Sequence, residues 1–210
     1  MKKDLLLILS CVLLISNLFA QSEDVGKFRT YPAGFYYKVI MRDIIGDDNF
    51  SLNDYKSIPV FKMDFGERIY PVQISDYITI PHSEPVSQGN SGTCWAYSAT
   101  SFMEAESYRI TKNKTKLSEM FTVYWEYIER AQHFVKTKGE TFLGEGSESN
   151  AILRIMRNHG MMPYVAYHGL KYRLNYNDHS ELFSKYETYL SYVKENELWN
   201  EDIVVDSIKK

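Results

Sequence analysis

Gln88-Gly89-Asn90-Ser91-Gly92-Thr93-Cys94-Trp95-Ala96-Tyr97-Ser98-Ala99 holds a candidate nucleophile, Cys94, a candidate oxyanion donor, Gln88, and small residues at the opening of a helix. A thiol attacks as its thiolate, and the first turn of a helix sets the positive end of the backbone dipole beside it. That effect alone is modest. A larger one requires an imidazole near the sulfur and a third group to hold the ring, and nothing local supplies the imidazole. Gln88 lies six positions before Cys94, across a loop with glycines at 89 and 92. Its amide can therefore fold back over the helix start and, with the Cys94 backbone N–H, offer two donors to a developing oxyanion. One such donor contributes on the order of 3 kcal/mol to a transition state. Trp95 either walls the site or is core.

Upstream, Pro81 and Pro85 forbid a helix running into this stretch, and Val60, Ile69, Val72, Ile74, Tyr77, Ile78 and Ile80 predict extended segments between Ile58 and Ile80. Downstream, Tyr97, Phe102, Ala105 and Tyr108 are spaced for one buried stripe of a helix that begins at Cys94. Ser118 is the expected N-cap of a second helix through Phe121, Tyr124, Trp125 and Ile128. A third runs from about Ser149 through Ile152, Ile155 and Met156, closed by His159 as a cap, Gly160 and then Pro163. A fourth amphipathic stretch covers about Ser180 to Leu198. Residues 21–56 show no sustained period.

The N-terminus has a basic start, an apolar run from Leu5 to Phe19 and a small residue, Ala20, so residues 1–20 read as a secretory signal peptide and the mature chain as secreted or periplasmic. Acylation at Cys11, making a lipoprotein, is the second reading. After cleavage, 22 basic residues face 26 acidic ones, a charge of −4 that argues against nucleic acid as a partner. Cys94 is then the only cysteine of an exported chain: buried, intermolecular or reactive. No later apolar run is long enough to span a bilayer. One cysteine and scattered histidines provide no close ligand pair, so no metal and no cofactor are expected. Residues 21–75 read as a leader or N-terminal extension and residues 76–210 as the domain that carries the thiol.

Gln-x3-Gly-x-Cys-Trp-x2-Ser-Ala over residues 88–99 resembles the cysteine signature of the papain-like peptidases. Where that signature has a second cysteine three residues before the nucleophile, this chain has Ser91. The departure points to the bleomycin hydrolase and aminopeptidase C branch, whose members also lack it. Two further blocks are similar to that branch: residues 117–131, from Leu117-Ser118 to Ala131, and residues 146–163, from Gly146-Ser147 to Pro163. The likeness covers about residues 84 to 165.

The resemblance implies an α+β papain-like fold of which this chain holds mainly the helical lobe, with the β-barrel lobe missing. It implies Cys94 as nucleophile and Gln88 as oxyanion donor, with Gly146, Ser147 and Trp95 as the candidate substrate-binding set. Ser147 stands where the family has the second glycine of a pair. Papain-type enzymes place the catalytic His and Asn roughly 130–150 residues after the cysteine, whereas this chain continues for 116 residues after Cys94. Those partners are therefore expected beyond Lys210. His133, His159, His168 and His179 follow the thiol, and even the nearest substitute, His168 before Gly169, reads as a loop residue. The expected function is an exported cysteine-type peptidase that cleaves peptide or protein substrates through a Cys94 acyl-thioester, with a missing lobe or partner chain supplying His and Asn. The alternative is a non-catalytic binding or assembly module that keeps the helical half-fold.

Overall fold

The computed structural model describes residues 25–31, 33–55, 58–64, 70–71, 73–171 and 174–209; the expected signal peptide, the Cys11 alternative and the extended positions Ile69 and Val72 lie outside these described residues. Among the described residues the architecture is α+β, mostly helical with one two-stranded sheet. The chain forms two compact units. One carries the described residues up to Ala33 and those between Asn53 and Tyr77; the other carries Gly34–Leu52 and the chain from Ile78 onward.

In the first unit, β1 (Val25–Tyr31) pairs antiparallel with β2 (Ile58–Asp64), running from Val25 opposite Asp64 to Tyr31 opposite Ile58. Pro59 is tolerated because, among the described residues, each strand of this two-stranded ribbon is paired along one edge alone. Phe28 meets Phe61 edge-on with ring centroids 5.5 Å apart.

In the second unit a π-helical turn, Tyr36–Ile40, leads into α1 (Met41–Ile45). Five helices follow: α2 (Cys94–Thr111), α3 (Glu119–Lys136), α4 (Ser149–His159), α5 (Ser180–Glu195) and α6 (Glu201–Ile208). The centre is α3, whose Met120, Val123, Tyr127, Ala131, Phe134 and Val135 recur at three- and four-residue intervals and so share one apolar face. They join a single core with Trp95 and Ala96 of α2, Ile152 and Ile155 of α4, Leu190 and Val193 of α5 and Val204 of α6. Ser118 caps α3 as expected, its Oγ accepting from the Phe121 N–H at 3.0 Å. The short α6 was not anticipated, yet its signals are local: Asn200 accepts from the Ile203 N–H at 3.1 Å, and Glu201 and Asp202 sit in the positive first turn. No helix among the described residues is long and apolar enough to cross a membrane.

Two expectations about side chains need correction. On α2 the buried residues are Trp95, Ala96, Thr100 and Glu104, while Phe102 is 63% exposed. A glutamate can take the inner face because its charge is matched: Glu104 accepts from Lys116 Nζ at 3.0 Å and from the Leu117 N–H at 2.8 Å, and Lys116 also binds Glu119. Burial opposes the Lys116 charge, but the bonds to Glu119 and Glu104 outweigh it and raise its pKa. His159 does not cap α4. Its ring stacks on Trp125 with centroids 3.7 Å apart, and Nε2 lies 2.8 Å from Glu129 Oε1.

Burial disfavours the Glu129 charge too, yet hydrogen bonds with Arg154, Asn158 and His159 prevail and hold its carboxyl below the usual value of 4.5. A depressed folded value means stability that is present above the unfolded value and lost as pH falls through the folded one. In urea titrations, the stability gap between the parent and Glu129→Gln should be full at pH 6 and shrink as pH drops below 4.5. A gap independent of pH would remove Glu129 from the acid response.

Candidate active site

Cys94 is the first residue of α2, and its side chain is exposed. Its N–H belongs to the first helical turn, whose amides have no acceptor within the helix. The turn that delivers it is built from short local bonds. Ser91 Oγ donates to the Gln88 carbonyl at 2.8 Å and lies 2.6 Å from Thr93 Oγ1, and the Thr93 carbonyl accepts the Ala96 N–H at 2.9 Å. Gln88 folds back along the loop, its side-chain amide donating to the Ser91 carbonyl.

Two distant segments clamp this loop. On one side, Asn90 N–H donates to the Asn177 carbonyl at 2.8 Å and His179 N–H to the Asn90 carbonyl at 3.0 Å. Asn90 Nδ2 also donates to Asp178 Oδ1 at 3.0 Å, and Asn177 Nδ2 donates to the Tyr97 hydroxyl at 2.7 Å. Gly89, at φ +68, lies flat on Asn177: a Cβ there would stand 2.2 Å from the Asn177 carbonyl oxygen. On the other side, the loop between α3 and α4 places Glu145 against Gly92, whose N–H donates to Oε2, and the Trp95 indole donates to the Glu145 carbonyl at 3.2 Å.

Of the expected substrate-binding set, Trp95 is 5% exposed and part of the core. Gly146 is exposed with its carbonyl held by Arg130 Nη2 at 2.9 Å, and Ser147 Oγ donates to Glu126 Oε1 at 2.8 Å. Glu126 is itself buried and also takes Arg130 and Arg154. The Gly146–Ser147 stretch is therefore anchored to α3.

Among the described residues no hydrogen bond joins the Cys94 thiol to an imidazole. His133 lies 2.6 Å from Thr141 Oγ1, His159 is held by Trp125 and Glu129, and His168 Nδ1 accepts the Leu170 N–H at 3.0 Å. His179 alone of the four is tied to the thiol loop, through its backbone. Its ring is buried, and burial lowers its pKa below 6.5 in spite of Glu145 at 4.0 Å. At neutral pH it is uncharged.

A cavity of about 670 Å³ opens between α3, the stretch through Gly169 and α5, walled by Tyr124, Tyr127, Tyr186 and Leu182, but neither Cys94 nor Gln88 lines it. Among the described residues no three His, Cys, Asp or Glu side chains gather closely enough to hold a metal ion.

The site is thus an exposed thiol at a helix start, on a doubly clamped turn along which Gln88 folds its amide back onto the Ser91 carbonyl. Residues 73–156, which span the thiol loop, α2, α3 and most of α4, match the model of the Peptidase C1-like family. The part of the chain that builds the site is accordingly similar to papain-like cysteine peptidases. No curated protein matches the chain.

Proposed function

We propose that this chain is a cysteine-type peptidase of the aminopeptidase C and bleomycin hydrolase kind. The observation that carries the reading is an exposed Cys94 at the first residue of α2, inside the stretch similar to the Peptidase C1-like family. The thiolate attacks the substrate carbonyl carbon, and the oxyanion is taken by the Cys94 N–H and the Gln88 amide. The C–N bond then breaks, the amine leaves with the proton of an imidazolium, and water hydrolyses the acyl-thioester. Gly146 and Ser147 meet the substrate backbone. The imidazole, and the Asn that orients it, come from a second lobe or partner chain. Export through residues 1–20 and a peptide or protein substrate belong to the same reading.

A second reading, a non-catalytic binding or assembly module, is favoured by one observation: the four histidines after the thiol are engaged or buried elsewhere. Alkylation of Cys94 by iodoacetamide at pH 6 separates the two. The peptidase reading requires a thiol activated by an imidazole, so the folded chain together with the lobe or partner that brings the imidazole should react several-fold faster than the urea-unfolded chain. Equal rates would mean that the thiol is not activated, and would favour the module reading.

A further inference from the structure

We propose that Glu145 is the positioning residue of the thiol turn, an inference that rests on the reading of Cys94 as nucleophile. Cys94 is bracketed by two contacts to this one residue. Before it, the Gly92 N–H donates to Glu145 Oε2; after it, the Trp95 indole N–H donates to the Glu145 backbone carbonyl at 3.2 Å. Two peptide units separate the Gly92 nitrogen from that of Cys94. Holding the first restrains the turn through which the second is delivered, and with it the aim of the oxyanion donor.

The side chain is seated rather than merely near. A Cβ added to Gly92 would lie 2.6 Å from the Glu145 Cβ, so the absence of a side chain at position 92 is what lets the carboxylate reach the turn. Glu145 is in turn held at both neighbours. Arg130 donates to the Gly144 and Gly146 carbonyls, and its own guanidinium is steadied by Glu126 at 2.8 Å. A chain of contacts thus runs from the middle of α3, through the loop, to the helix start that carries the thiol. The groups facing the carboxylate are His179 at the start of α5, with Nδ1 4.0 Å from Oε2, and Tyr127 of α3. His179 Nδ1 is buried and makes no hydrogen bond, so it leaves Oε2 to Gly92.

The test compares the parent with Glu145→Gln, which keeps an acceptor oxygen and drops the charge, and Glu145→Ala, which keeps neither. The first readout is the Gly92 amide proton in ¹⁵N-edited NMR spectra. An N–H donating to a carboxylate resonates downfield; it should move upfield in Glu145→Gln and further in Glu145→Ala. The second is the rate of Cys94 alkylation by iodoacetamide at neutral pH, with Glu145→Gln at least as fast as the parent and Glu145→Ala several-fold slower than Glu145→Gln. Rescue by glutamine distinguishes a hydrogen bond that aims the turn from a general effect of charge. A Gly92 resonance unchanged in all three proteins, or equal alkylation of the Ala and Gln variants, would overturn the assignment. Neither readout requires hydrolysis, so a Cys94 that proved not to be a peptidase nucleophile would leave both measurements interpretable.

Discussion

Cys94→Ala should lose nearly all peptide-bond hydrolysis in any preparation whose parent cleaves peptides. The loss expected for deleting the nucleophile of a peptidase is on the order of 10⁶-fold in kcat. What remains is the background from oxyanion donors and binding, roughly 10³–10⁴ over water. The effect is so large because every covalent step passes through the sulfur: there is no acyl-thioester without it, and water held near Gln88 is a poor substitute. The side chain is exposed and outside the core, so the variant should keep the parent's unfolding midpoint. Turnover that persists in Cys94→Ala at the parent's level assigns the chemistry to another residue. A loss of turnover together with a loss of fold would be reported by the same urea titration.

Gly89→Ala should destabilise the chain by about 2–4 kcal/mol, combining a left-handed backbone that alanine tolerates poorly with an overpacked contact. At φ +68 the new Cβ would stand 2.2 Å from the Asn177 oxygen and 2.8 Å from its nitrogen, and both are backbone atoms that cannot swing aside. The relief available is to part the loop from residues 177–179, which breaks the Asn90 and His179 backbone bonds and the Asn90 to Asp178 contact. The expected result is a lowered urea midpoint together with faster exchange of the Asn90 and His179 amides. An unchanged midpoint would show that the clamp contributes little.

The helices around the site were legible because each is punctuated locally. Ser118 before α3, Gly160 and Pro163 after α4, and the Cys94 turn all mark ends through their own backbone preferences. What was not legible depended on partners. The inner face of α2 was misjudged because an aromatic spacing was favoured over Glu104, a residue that is buried only because Lys116 and Leu117 meet it. The ribbon was half visible: β2 opens on two β-branched residues, Ile58 and Val60, whereas the strand that pairs with it, Val25–Tyr31, carries no strong alternation. In the site, Cys94 and Gln88 lie in one dense motif, but Glu145 lies in a loop without periodicity, and its role appears only where the fold brings it onto Gly92.

That juxtaposition bears on the order in which the molecule is made. The loop before Cys94 closes on a carboxylate 53 residues further along and on an aspartate 88 residues further along. Contacts of such sequence separation form late, because loop-closure entropy must be overcome before they reward the chain. The helices that flank them can form earlier, from local bonds. The turn that carries Cys94 is therefore expected to take shape only once the start of α5 has docked, so that its geometry is a property of the folded unit and not of the motif.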